Sequence, residues 1–111
     1  MDVRDAHPDA RVVVLFRTGL TPDAGADYHA MAERMFERAR TMPGFLDIRD
    51  YTGAEGERLA VIWWESLETL RAWREDVEHL AAQRQGRERW YAWFRLEVCE
   101  RVRQSVFDRD P

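Results

Sequence analysis

A chain of 111 residues with 45% hydrophobic and 34% charged side chains suits one domain with one modest core, which excludes a two-domain protein and wholesale disorder. The formal net charge is −4, and the 17 basic residues, all arginine, are scattered among 21 acids, so the clustered basic face of a nucleic-acid binder is absent. No apolar run approaches the roughly 20 residues of a membrane span, and the polar, acidic start has no leader pattern, so the expected location is the cytoplasm with no membrane partner. A single cysteine, Cys99, excludes an internal disulfide and a multi-cysteine metal site.

Residues 1–10 read as a flexible N-terminal arm. Residues 11–18 contain Val12, Val13, Val14, Leu15 and Phe16, a β-branched run that predicts a buried strand. Thr21-Pro22-Asp23 then carries a cap, a proline and an acid in the order of a helix start. Over residues 24–41, Tyr28, Met31, Met35, Ala39 and Met42 recur at steps of three and four, and Met42-Pro43-Gly44 stops the helix. Residues 45–51 predict a second strand, and residues 53–56 a turn.

The third strand, residues 58–65, reads Leu59, Ala60, Val61, Ile62, Trp63, Trp64, with both faces apolar, and a strand of that kind is usually covered on both sides. Ser66 caps a helix whose stripe is Leu67, Leu70, Trp73 and Val77; a break is expected near Asp76, then a second helical piece over residues 77–85 closed by Gly86. Residues 90–102 alternate with period two, apolar at 90, 92, 94, 96, 98 and 102, and predict a long last strand. Its early aromatic rings, Trp90, Tyr91, Trp93 and Phe94, read as core and dimer seam. The domain is expected over residues 11–107, with a tail at 108–111.

Strand, helix, strand, strand, helix, strand predicts an α+β, ferredoxin-like βαββαβ fold: a four-stranded antiparallel sheet with both helices on one face. The other face carries too much apolar surface to leave in water, and the simplest cover is the same face of a second copy. The expected assembly is a homodimer through the sheet face.

Met42-Pro43-Gly44-Phe45, then Val61-Ile62-Trp63-Trp64-Glu65-Ser66 running into Leu70-Arg71-Ala72-Trp73-Arg74, then His79, Ala82-Gln83, Gly86-Arg87 and Trp90-Tyr91 follow in a distinctive order. On these residues the chain resembles the antibiotic biosynthesis monooxygenase-like domain of the dimeric α/β barrel superfamily, over about residues 12–103. The resemblance implies a small monooxygenase, an oxidoreductase that is cofactor-free or haem-dependent, acting on an aromatic or apolar substrate or on haem. A non-catalytic dimeric module that binds a small molecule or haem is the alternative.

The same resemblance makes His79 the candidate catalytic residue, as a proton shuttle or a haem-iron ligand. Trp64 and Trp73 are candidate walls for a flat ligand, with core packing as the competing reading. Arg87 is a candidate for holding a carboxylate or phenolate, with a solvated helix end as the alternative. His29 and His7 are placed outside any site. Both the haem-degrading and the phenol-oxidising members use an asparagine. This chain has none: Leu15-Phe16-Arg17 stands in the corresponding stretch, and Gln83 is the nearest carboxamide.

Overall fold

The computed structural model describes residues 3–109. β1 (Val12–Leu20) leads to α1 (Ala26–Arg40), β2 (Phe45–Thr52), β3 (Arg58–Trp64), α2 (Leu67–Arg74) and α3 (Val77–Gln85). A single π-helical turn (Gly86–Trp90) then delivers β4 (Tyr91–Glu100). The sheet order is β2-β3-β1-β4 and every neighbouring pair is antiparallel. This is the ferredoxin-like α+β arrangement, with the second helix divided at Asp76.

Alternation assigns the two sheet faces. Val12 and Val14 on β1 and Trp64 on β3 point toward the helices and, with Leu70 of α2, make the core. Trp64 is 1% exposed, the largest of the fully buried side chains. Val13, Leu15, Leu59, Val61 and Trp63 therefore point the other way. They are half-buried, with no helix over them.

β2 contains one extra residue. Phe45 lies opposite Trp64 and Asp47 opposite Trp63, so Leu46 is left over as a bulge. The bulge keeps Phe45 on the helix side, edge-on to Trp64 with ring centroids 5.5 Å apart, and turns Asp47 to the opposite face. Just before it, Gly44 adopts φ +81°, and a Cβ there would lie 2.4 Å from the Thr69 side chain. Ser66 caps α2 in a reciprocal box with Thr69, and Asp76 caps α3 by accepting the His79 backbone N–H.

Three local expectations are corrected. The first helix begins at Ala26 with Gly25 as its cap, not at the Thr21-Pro22-Asp23 signal. Thr21 is occupied elsewhere: its backbone N–H donates to the Trp90 carbonyl and its hydroxyl to the Arg89 carbonyl, tying β1 to the π turn. Gly86 caps α3 as expected, but the chain does not leave its helical path there. Its backbone is right-handed helical, the chain continues through it, and glycine is needed because a Cβ would meet the Tyr91 ring at 2.4 Å.

The third correction concerns the arm. His7 and Ala10 are buried, and the His7 ring stacks on Trp63 at 4.1 Å while its Nε2–H donates to the Asp47 carboxylate at 2.8 Å. His7 adopts φ +48°, an uncommon backbone for a residue with a side chain, so the hydrogen bond to Asp47 and the stack offset local strain. Arg101 donates to the His7 carbonyl, so the arm is also pinned to the end of β4.

β4 is an edge strand, and the helices do not reach across it. Phe94, Leu96 and Val98 on its helix side are 37%, 47% and 39% exposed. Of the four early rings, Trp90 is buried and Tyr91 half-buried, whereas Trp93 and Phe94 are open.

Candidate functional site

Between the sheet and the helices lies a cavity of about 200 Å³. Its floor is the helix-facing row of β3, Arg58, Ala60, Ile62 and Trp64, with Phe16 and Thr18 of β1 alongside. Ala60 is the smallest side chain in that row, which leaves space above it. Tyr28, Met31 and Met35 of α1 form one wall, and His79, Ala82 and Gln83 of α3 another. The walls are mostly apolar with a few polar groups, the usual make-up of a small-molecule site.

At one end Trp64, Trp73 and His79 form a graded stack. The Trp64 and Trp73 centroids are 6.4 Å apart, and Trp73 and His79 lie 4.0 Å apart with planes 14° from parallel. Nδ1 of His79 is 3.0 Å from the Trp73 carbonyl oxygen. A carbonyl only accepts, so Nδ1 carries the proton and Nε2 keeps its lone pair. Burial lowers the His79 pKa from 6.5, against opposing contributions from the Trp73 carbonyl and Asp76. The ring is therefore neutral at pH 7, with one basic nitrogen.

α3 is held in place from α1. Arg38 makes a two-point contact with Asp76, Nε to Oδ2 at 2.8 Å and Nη2 to Oδ1 at 2.7 Å, and also reaches Glu78. The Arg38 hydrogen bonds and the His79 N–H hold the Asp76 carboxyl down at about 2. Arg34 adds a second bond to Glu78. These bonds fix the first turn of α3, and with it His79.

The other end is built from Arg58, Tyr28, Tyr91 and Asp50. The Arg58 guanidinium carbon lies 5.9 Å from the Tyr28 ring centroid, and the Tyr28 and Tyr91 rings meet edge to face at 6.3 Å. Burial pushes the Tyr28 phenol up and the Tyr91 phenol up to about 12, so both stay protonated. Burial also raises the Asp50 carboxyl, with Arg58 opposing.

Of the residues proposed from sequence, His79, Trp64 and Trp73 line this one cavity. Arg87 does not. It sits exposed on the π turn, outside the lining, and the guanidinium groups that reach the cavity belong to Arg58 and Arg74. His29 is exposed on α1, and His7 lies on the opposite sheet face. Sequence reasoning missed Tyr28, Arg58, Tyr91 and Asp50 as site residues. Alternation along β3 carries the signal for Arg58, since residues 58, 60, 62 and 64 share a face. Gln83 does reach the cavity, one helical turn after His79 on the same face.

The sequence matches the family model described as antibiotic biosynthesis monooxygenase over residues 11–85, more than half of the chain. The chain belongs to the antibiotic biosynthesis monooxygenase family. Solved structures similar to this family member include Rv0793 from Mycobacterium tuberculosis, 21% identical with a TM-score of 0.75, covering 87% of this chain and 100% of that one. SnoaB from Streptomyces nogalater, described as a cofactor-independent oxygenase, is 13% identical with a TM-score of 0.74, covering 89% and 99%. The curated relative YqjZ of Bacillus subtilis, an uncharacterized protein, is 29% identical over 110 residues, covering 99% of this chain and 96% of its own.

Haem, the other ligand that the family resemblance raised, does not fit this antibiotic biosynthesis monooxygenase domain. A space of about 200 Å³ falls below the roughly 300–1,000 Å³ of ordinary ligand pockets, and a porphyrin with two propionates needs more than its walls leave. No helix among the described residues is long and apolar enough to cross a membrane.

Proposed function

We propose that this protein is a cofactor-free monooxygenase that oxidises a small aromatic phenol inside the cavity between sheet and helices. The observation that carries the reading is His79: a neutral imidazole with a free Nε2 lone pair, at the end of an aromatic-walled pocket. Family membership supports the reaction class, and the mostly apolar lining is what favours an aromatic substrate.

Oxygenation without a cofactor takes its electrons from the substrate. Nε2 removes the phenol proton, and the resulting phenolate is electron-rich enough to reduce dioxygen by one electron. Recombination forms a carbon–oxygen bond, the peroxide takes the proton back from the His79 imidazolium, and cleavage of the O–O bond with loss of the C–H proton at the same carbon releases water and leaves a quinone. The protein's part is to accept the proton, to hold the ring against the apolar walls, and to exclude water from the radical pair. The His79 Nδ1–H bond to the Trp73 carbonyl stabilises the imidazolium that forms. Gln83 is the carboxamide next to that step, in a chain without asparagine.

The same reading includes a homodimer through the uncovered sheet face and a cytoplasmic location. The apolar row Val13, Leu15, Leu59 and Val61 supports the dimer.

Oxygen-electrode measurements with 1-naphthol and 1,8-dihydroxyanthrone, without added metal or flavin, test the function. The expected result is one dioxygen consumed per phenol, with the rate falling roughly 10²-fold or more in His79→Ala. No uptake with either phenol, or full activity in that variant, refutes it. Binding without turnover is the second reading, favoured by the missing asparagine. Native mass spectrometry that finds retained, unconverted ligand in air distinguishes it.

A further inference from the structure

We propose that Arg58, with the hydroxyls of Tyr28 and Tyr91, forms an anion-binding subsite that selects aromatic substrates carrying a carboxylate. The proposal deepens the oxygenase reading and rests on it for the cavity's role as the substrate site. Arg58 and Trp64 stand at opposite ends of the helix-facing row of β3, about 20 Å apart along a seven-residue strand. His79 packs through Trp73 at the Trp64 end, so Arg58 serves the end of the cavity away from His79.

An arginine lining an apolar cavity needs a partner for its five N–H donors. Among the described residues the Arg58 guanidinium has no ion pair; its side-chain contact is the Tyr28 ring. Tyr28 is only 9% exposed, and neither its hydroxyl nor that of Tyr91 has a hydrogen-bond partner among the described residues. Because burial keeps both phenols protonated, they are donors at neutral pH. A guanidinium fork and two phenol hydroxyls therefore face the cavity, and no carboxylate or carboxamide among the described residues is hydrogen-bonded to them, although Asp50 and Gln83 also line it. The planar, two-oxygen carboxylate matches the fork.

The one opposing charge is Asp50. It lies at the exposed rim, senses Arg58 only through space, and forms no ion pair with it. A cationic ligand would meet the Arg58 charge and gain only the rim carboxylate of Asp50 against it. The geometry accordingly favours an anion, with Asp50 limiting how tightly it is held.

Calorimetric titration with 2-naphthoate and with 2-naphthamide, which share a ring system and differ in charge, reads the subsite without turnover. The wild type is expected to bind the naphthoate about tenfold more tightly. Arg58→Met removes that preference and leaves naphthamide affinity unchanged. Asp50→Asn raises naphthoate affinity alone. Tyr91→Phe, which keeps the ring, reduces the preference by a smaller factor and serves if Arg58→Met does not fold. Equal affinities in the wild type, no binding of the naphthoate, or a preference that survives Arg58→Met overturns the proposal. Oxygen uptake plays no part in these titrations. A silent electrode therefore leaves the subsite standing, and a missing preference leaves the oxygenase reading standing.

Discussion

His79 owes its chemistry to three neighbours acting on different parts of one ring. Trp73 covers a face, the Trp73 carbonyl fixes the proton on Nδ1, and burial disfavours the charged form. The sign follows directly. Desolvation lowers the pKa from 6.5, so the basic form persists to a pH below that value. For any phenol the enzyme turns over, kcat/KM is expected to be level above pH 6.5 and to fall on the acid side, with its inflection below 6.5. A profile whose inflection lies above that value removes His79 as the base. The same shift makes the fold more sensitive to acid, because the unfolded chain takes up the His79 proton at a higher pH than the folded one. His79, Trp64 and Trp73 were legible only through the order of short motifs, since nothing in the periodicity of residues 77–85 marks His79. Arg87 misled because the continuation of the helix through Gly86 as a π turn carries it out to solvent, and no residue-level signal distinguishes that turn from a helix stop.

At the level of elements, the site depends on how α1 grips the start of α3. Asp76 caps α3 and receives both arms of Arg38, and its carboxyl titrates at about 2. A carboxyl depressed in the folded state contributes stability that is complete above its ordinary value of 3.8 and is lost as pH falls toward about 2. Asp76→Ala is expected to lower stability by about 1–2 kcal/mol, measurable by urea denaturation. Reduced hydrogen-exchange protection in α3 should accompany it, and an unchanged midpoint would show that the cap is dispensable. The strands and the break at Asp76 were readable because each rests on a local pattern: alternation in residues 90–102, a β-branched run in residues 12–16, an acid at a helix start. The start of α1 was not, because Thr21 spends its cap chemistry on the Trp90 and Arg89 carbonyls, a contact between residues nearly 70 positions apart. The bulge at Leu46 was hidden for a similar reason. Only the pairing with β3 shows that Phe45 and Asp47 fall on opposite faces.

Among the described residues, two uncovered apolar regions bear on assembly. Val13, Leu15, Leu59 and Val61 form a row on the face away from the helices, and beyond β4 the tail carries Val102, Val106 and Phe107 at 97%, 59% and 79% exposure. The radius of gyration is 15.0 Å, above the roughly 13 Å of a close-packed chain of this length, and residues 101–109 continue past β4 outside any helix or strand. A second copy would cover both regions. Light scattering at micromolar concentration is expected to give about twice the 13.2 kDa chain mass, and removal of residues 104–111 should weaken the assembly. A stable monomer would leave the doubly apolar β3 without an explanation. His7 and Trp63 lie on the same face, so any contact between copies has to accommodate the arm. The opposite side of β3 gives the molecule a property of another kind. Indole emission is quenched by a protonated imidazole in ring contact, and His79 lies 4.0 Å from Trp73. Acidification should therefore dim the Trp73 emission, and because His7 stacks on Trp63 at 4.1 Å in the same way, a Trp63→Phe variant is the one in which the proton on His79 becomes visible as light in the absence of any substrate.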